Sequence, residues 1–226
     1  MIIFNNVTFN YSNQPLFTDL NLQIADGEFV FLIGKSGSGK STLLQMIYMD
    51  IIPKIGSVQV GEYYSNTIKQ RSLPYLRRKL GIVFQDFKLL KDRNVYDNLA
   101  FVLKVTGTQR RLIKKKIISA LTDVGLTHKQ KNMPDELSGG EQQRIAIARA
   151  IINDPILIIA DEPTGNLDPE TSQDILDILQ KINRRGTSVI FATHNYELVK
   201  KTNARIIKLT DGKAVKVILK KKSTQN

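Results

Sequence analysis

Gly34-Lys35-Ser36-Gly37-Ser38-Gly39-Lys40-Ser41 is the segment whose residue types and spacing most sharply imply chemistry. It fits G-x-x-x-x-G-K-[S or T] and lies between an apolar strand-like run, Phe29 to Ile33, and a helical stretch from Lys40 to Met49. Glycines let successive backbone N–H groups curl around phosphate oxygens, and a helix start adds partial positive charge. In such a loop Lys40 reaches the outer phosphates, Ser41 ligates a hard divalent cation, and Thr42 extends the cradle.

A phosphate cradle needs acidic partners, and Ile156-Leu157-Ile158-Ile159-Ala160-Asp161-Glu162 supplies two at the end of an apolar run. Adjacent carboxylates there can divide the labour of phosphoryl transfer, Asp161 serving the metal shell and Glu162 facing an attacking water as general base. A helix-capping acid before Pro163 would account for one of them, not both. Leu137-Ser138-Gly139-Gly140-Glu141 opens an apolar-striped helix through Ile145, Ala148 and Ile152. A serine and two glycines at a helix mouth make a second anion site.

The elements that must hold these groups follow from periodicity. Strand-like runs are Ile2 to Phe9, Leu20 to Ile24, Phe29 to Ile33 and Ser57 to Val60, with a further strand from Leu80 to Phe84. The middle, from about Val95 to Ile152, has helical patterning, and apolar β-branched runs return at Ile156 to Ile159 and Ser188 to Thr193. Between them Ile175, Ile178, Leu179 and Ile182 share one helical face, so the stretch reads as a βαβ unit in a parallel sheet. Asp211-Gly212, between Ile206 to Leu209 and Val215 to Leu219, predicts a closing hairpin.

At 226 residues and 42% hydrophobic, the chain is long enough to bury a sizeable core as one domain with sub-lobes. No apolar run approaches the roughly 20 residues of a membrane-spanning helix, and Met1-Ile2-Ile3-Phe4-Asn5 lacks a basic secretory n-region, so a cytoplasmic chain is expected. With no cysteine there are no disulfides, thiolate metal sites or cysteine nucleophiles. The formal charge of +12, from 33 basic and 21 acidic residues, suits an anionic membrane surface or a nucleic acid. No aromatic residues interleave with Arg110-Arg111, Lys114-Lys115-Lys116 or Lys220-Lys221-Lys222, so nucleic acid is the weaker expectation. Ser223 to Asn226 reads as a frayed end.

The Leu137 to Arg144 segment resembles the signature of the ABC (ATP-binding cassette) family, and further resemblances follow in family order over essentially the whole chain. The resemblance implies an α/β fold: a P-loop NTPase (RecA-like) core, an N-terminal antiparallel β subdomain and a helical subdomain inserted at about 86-153. It implies one nucleotide-binding domain over 1-220, with 221-226 as a basic tail. ATP and Mg²⁺ are the implied ligands, and ATP hydrolysis the implied activity. Glu162, His194 and Gln85 become the catalytic candidates, with Ser41, Gln85 and Asp161 around the metal. Tyr11 looks like the aromatic on which adenine stacks, although a half-buried strand residue would look the same. Asn166-Leu167-Asp168 looks like the D-loop, and Asp168 before Pro169 is also an adequate helix N-cap. His128 lacks such context and reads as a surface residue.

In the family the two anion sites belong to different subunits. A homodimer would form on ATP binding, with Ser138 and Gly140 of one protomer covering the γ-phosphate held by Lys40 of the other. Within the family, Gly81 to Leu90 and Asp92 to Phe101 resemble the bacterial cell-division branch. That implies a place at the inner face of the membrane beneath an FtsX-like integral membrane partner, docked on the Gln85 to Leu90 region. Phe87, Leu89 and Leu90 could equally pack the helical core. Lipoprotein-release and macrolide-export ATPases share the other motifs and stay as alternatives, with soluble nucleic-acid-associated ATPases further off.

Overall fold

The computed structural model describes residues 1–12 and 14–217, so Lys220-Lys221-Lys222, the 221-226 tail and the last two residues of the expected Val215 to Leu219 strand lie outside the described residues. The chain opens with β1 (Ile2–Tyr11) and β2 (Gln14–Ile24), then β3 (Phe29–Ile33), α1 (Lys40–Ile47), β4 (Ile55–Val60) and β5 (Tyr63–Tyr64). After α2 (Leu73–Arg78) and β6 (Leu80–Val83) come three helices, α3 (Val95–Val105), α4 (Arg110–Asp123) and α5 (Gly139–Ile151). The chain continues through β7 (Leu157–Asp161), α6 (Pro169–Asn183), β8 (Ser188–Thr193), α7 (Tyr196–Lys200), β9 (Arg205–Thr210) and β10 (Lys213–Val217).

Two sheets result. A six-stranded sheet runs β10-β9-β3-β8-β7-β6, and a four-stranded one runs β2-β1-β4-β5. In the larger sheet β3, β6, β7, β8 and β9 are parallel neighbours, and only the β9–β10 hairpin is antiparallel. The β7–α6–β8 unit connects adjacent parallel strands, as the apolar spacing of α6 predicts.

The central strands are apolar on both faces because both faces are covered. Phe31, Ile33, Ile158, Ala160, Val189 and Phe191 point to one core with α3, α4, α5 and α6. Val30, Leu32, Leu157, Ile159, Ile190 and Ala192 point to a second core with α1 and the antiparallel sheet. The layers are therefore helices, parallel sheet, then α1 with the smaller sheet. Burial on both faces fixes the register of the central strands, since a one-residue slip would exchange the two cores.

Several boundaries differ from the periodicity for local reasons. α1 ends at Ile47 rather than Met49, because Met49 adopts a left-handed φ of 54°. β2 begins at Gln14, six residues before Leu20, and its pairing with β1 is interrupted by register shifts at left-handed Asn6 and Asp19. Each shift resets the two-residue alternation. β6 ends at Val83, one residue before Phe84, and β7 starts at Leu157, one after Ile156.

Candidate functional site

The parallel strands all discharge their carboxyl ends on one edge of the larger sheet, the place where open α/β sheets bind ligands. β3 leads into Gly34 to Gly39, β6 is followed by Gln85, β7 ends on Asp161, and β8 is followed by His194. Between them lies a cleft of about 850 Å³, lined by Tyr11, Ser36, Gly37, Gly39, Lys40, Ser41, Thr42, Gln85, Glu162 and His194. Gln14, Pro15 and Leu16 line it as well. They carry no sequence signal beyond their nearness to Tyr11, since a polar residue and a proline read as loop.

The loop reaches α1 through Gly39, whose φ of 96° is open to glycine and strained for other residues. Lys40 follows as the first helical residue; its Nζ donates to the Gly34 carbonyl at 3.0 Å and lies 3.4 Å from Glu162 Oε1. The lysine thus folds back over its own loop. Tyr11 is 49% exposed, meets Phe9 edge to face at 4.9 Å, and has its hydroxyl 3.2 Å from Thr42 Oγ1. An exposed ring tethered to the rim of the cradle is placed for a planar base.

The two acids diverge. Asp161 ends β7, whereas Glu162 has a left-handed φ of 49° and donates its N–H to the Ala192 carbonyl at 3.0 Å. Its carboxylate lies 2.8 Å from His194 Nδ1 and accepts from the His194 N–H at 3.3 Å. Asp161 turns instead to Ser41. Burial pushes its pKa up, a hydrogen bond from the Ser41 hydroxyl opposes this, Glu162 adds to the rise, and Lys40 lowers it. Asp161 Oδ1 is buried and has no hydrogen-bond partner among the described residues. A desolvated carboxylate oxygen beside a serine hydroxyl is the all-oxygen donor set that Mg²⁺ favours.

Gln85 is exposed at the opposite wall, donating from Nε2 to Asn166 Oδ1 at 3.2 Å, so the candidate Q-loop and D-loop residues touch. Asp168 caps α6, accepting from the Glu170 and Thr171 N–H groups at 3.0 and 2.9 Å and from the Thr171 hydroxyl at 2.5 Å. Its pKa is lowered, first by the Thr171 hydroxyl and then by the Thr171 N–H. His128 is exposed in a short 3₁₀ turn away from the cleft.

None of Leu137, Ser138, Gly139, Gly140 or Glu141 lines the cleft. Ser138 caps α5 in a reciprocal box, accepting from the Glu141 N–H at 3.2 Å while its own N–H donates to Glu141 Oε2 at 2.9 Å. A Cβ on Gly140 would stand 2.5 Å from the Thr171 methyl, so the helix mouth is pressed onto the start of α6. Gly34, Lys35, Ser38 and Asp161 are also absent from the lining; Gly34 is buried, whereas Lys35 is exposed. The serine and glycines thus form a second helix N-terminus, whose first N–H groups have no intrahelical acceptor.

Sequence patterns alone did not single out two side chains that hold the walls. Asn98, 1% exposed, accepts from the Leu90 N–H and donates to the carbonyls of Leu90, Arg93 and Asn94. Arg149 donates to the carbonyls of Phe87 and Lys88. Phe87, Leu89 and Leu90 are half-buried, with Leu89 packed against the helical-side core.

A glycine-rich loop between β3 and α1, facing two acids at the end of the parallel strand β7, defines the class as P-loop nucleotide-binding proteins. Residues 17–165 match the ABC transporter family. Cell division ATP-binding protein FtsE of Mycobacterium tuberculosis is 49% identical over 218 residues, covering 96% of this chain and 95% of the relative. FtsE of Bacillus subtilis is 49% identical over 85% of each chain, and that of Escherichia coli K12 is 42% identical over 94% of this chain and 96% of its own. Among solved structures, the dimeric ATP-binding cassette MJ0796 in a post-hydrolysis state with ADP and Pi aligns with a TM-score of 0.83 at 34% identity, covering 95% of this chain and 96% of that one. The cassette cbiO1 from Clostridium perfringens aligns with a TM-score of 0.88 at 28% identity, covering 95% and 86%. The chain belongs to the ABC transporter family, as an FtsE-like ATP-hydrolysing cassette. No described helix is long and apolar enough to cross a membrane.

Proposed function

We propose that this chain is the ATPase of a cell-division complex, working as an ATP-held homodimer at the inner face of the membrane beneath an FtsX-like partner. Its output would be a conformational signal to peptidoglycan hydrolases outside the membrane. The observation that carries the dimer is the separation of the two anion sites: the cleft holds Lys40 and Glu162 but no residue of 137–141. A nucleotide in the cleft is therefore covered from outside the protomer, with Ser138 and Gly140 of a second copy as the covering groups. The FtsE names of the relatives support the cell-division setting and, through it, the partner. The Gln85 to Leu90 stretch, exposed at Gln85, Asp86 and Lys88 and half-buried at Phe87, Leu89 and Leu90, is the docking segment. The nucleotide-binding domain spans 1-220, with residues 86-153 as its helical subdomain.

ATP would lie with its base on Tyr11 and its phosphates over Ser36 to Thr42. Lys40 leaves the Gly34 carbonyl for the β- and γ-phosphates, and the α1 N-terminus adds its dipole. Mg²⁺, when bound with ATP, neutralises charge on the phosphate oxygens. Ser41, Asp161 and Gln85 are the side chains to hold it. Glu162 orients a water and takes its proton as the water oxygen bonds to the γ-phosphorus; the bond to the bridging oxygen breaks, leaving ADP and inorganic phosphate. His194 keeps the Glu162 carboxylate turned into the cleft through the 2.8 Å contact.

The test separates the two half-sites. Lys40→Ala should abolish ATP binding to its own cleft, and Ser138→Arg should block the cover. Mixed in equal amounts, the two variants should recover turnover that neither shows alone, because one composite site in the mixed dimer is intact. No recovery, with both variants folded, would sink the shared-site reading. Co-purification with an integral membrane protein tests the partner. The outer face of α4, with exposed Arg110, Arg111, Lys114 and Lys115 beside Leu112 and Ile118, offers a peripheral contact with anionic membrane. Equal flotation with neutral and anionic vesicles would refute that contact.

A further inference from the structure

Phe87 and Lys88 are consecutive non-glycine residues with left-handed φ values of 59° and 51°. L-residues visit that region singly and at a cost, so a pair of them persists only where surrounding contacts hold it. Within the loop the Phe87 N–H donates to the Phe84 carbonyl and the Lys88 N–H to that of Asp86, and one side chain ties the turn to a helix. Arg149, on the last turn of α5, donates Nη2 to the Phe87 carbonyl at 2.7 Å and Nη1 to the Lys88 carbonyl. Burial alone lowers the Arg149 pKa, with no carboxylate contributing. A half-buried guanidinium whose hydrogen-bond partners among the described residues are two backbone carbonyls is a costly way to pack a helix, and the planar fork is what lets one residue span both.

The clamped turn begins two residues after Gln85. Upstream, Gln143 of the same helix is fully buried and makes a long 3.4 Å hydrogen bond from Nε2 to the Phe84 carbonyl. Downstream, Asn98 of α3 fixes Leu90 through both its N–H and its carbonyl. The chain from Phe84 to Leu90 is thus bound to helices on either side of Gln85, whose own side chain reaches across to Asn166. The mouth of α5, Ser138 to Gly140, meets the same loop, since a Cβ on Gly139 would contact the Phe87 ring at 3.8 Å.

We infer that Arg149 is a positioning residue: by clamping the left-handed Phe87–Lys88 turn to α5, it fixes Gln85 in the cleft and makes Gln85 follow the helix that carries Ser138. The inference rests on the assignment of Gln85 to the nucleotide cleft. One helix then serves two nucleotides, covering the partner's with its first turn and setting the geometry of its own protomer's with its last. Gln143 and Asn98 hold the two flanks of the loop, and Arg149 ties the carbonyls of the strained turn itself to α5.

A double-mutant cycle on the full chain tests this, because residues that act through one another give non-additive effects. Arg149→Ala should lower kcat for ATP about tenfold, the scale of a small misplacement at a reacting centre, with little change in KM. In a Gln85→Ala background the same change should cost less than about twofold. Arg149→Lys keeps the charge and most of the packing but cannot span both carbonyls. It should reproduce most of the loss, and it carries the same cycle where Arg149→Ala fails to fold. Limited trypsinolysis gives a readout independent of turnover: cleavage after Lys88 should rise selectively in the Arg149 variants, with cleavage after Lys114 and Lys115 on α4 unchanged. A full tenfold loss in the Gln85→Ala background overturns the inference, as does unaltered cleavage after Lys88. Absence of ATP hydrolysis by the wild-type chain would fall instead on the proposed function, and the Lys88 arm would still decide the clamp.

Discussion

Gly140→Ala separates two explanations of one glycine. A signature glycine suggests a backbone that must approach a phosphate closely, but the structure supplies a second reason, because the added Cβ would lie 2.5 Å from Thr171 Cγ2. Thr171 cannot turn its methyl away cheaply, since its hydroxyl is held by Asp168 at 2.5 Å. Overpacking of this kind costs about 1–3 kcal/mol, and the helical preference of alanine over glycine returns up to about 1 kcal/mol. A net loss of about 1–2 kcal/mol is expected. Thr171→Ser deletes the offending methyl and keeps the hydroxyl that Asp168 needs, at a cost of up to about 0.8 kcal/mol. In the double variant the alanine methyl occupies the vacated space, so the two changes should offset each other by about 2 kcal/mol. Urea unfolding of the four proteins at constant m-value measures the coupling. ATPase assays then divide the roles: if turnover stays low while stability returns, the glycine also serves a phosphate of the partner protomer. Additive stability losses would refute the packing argument.

Asn98→Asp places a carboxylate against the carbonyls of Leu90, Arg93 and Asn94, all of which now accept from its amide. A loss of about 3 kcal/mol is expected by urea unfolding, and a loss below about 1 kcal/mol would show that the loop relaxes around it. Asp161→Asn should end Mg²⁺-dependent turnover yet raise the melting temperature measured without nucleotide. The sign follows from the raised pKa of Asp161. As pH climbs above the ordinary carboxylate value, the unfolded state loses its proton before the native state does, so wild-type stability falls through that window. The melting-temperature advantage of the asparagine variant should therefore shrink toward zero at pH 4 and widen toward pH 8; a pH-independent gap would contradict the burial of Asp161.

What was legible in the sequence was whatever a repeating contact enforces. β3 and β8 fall on the residues their apolar runs mark because both faces of each strand are buried. The stripe of Ile175, Leu179 and Ile182 that the spacing marks is the buried face of α6. Legibility fails where contacts do not repeat. α7 has five residues and one cap, the Asn195 carboxamide accepting from the Leu198 N–H at 3.1 Å, which is too short to show a period. The first residues of β2 hide behind Pro15 and a bulged partner strand.

The same division runs through the site. Lys40 and Ser41 could be picked out by the glycine-rich motif, Asp161 and Glu162 by the apolar run they end, and His194 through the family resemblance, and the cleft gathers all but Asp161 onto its surface. Arg149 gave no comparable sign. Its partners are carbonyl oxygens, which every residue has, and their direction depends on left-handed backbone at a phenylalanine and a lysine, where no sequence rule expects it. A residue whose work is to hold backbone is visible only once the backbone is known. Its substitution would look like that of any basic residue near a helix C-terminus, for which a loss of a few tenths of a kcal/mol would be the natural expectation. A kcat loss that vanishes when Gln85 is absent is what distinguishes the clamp from that lesser role.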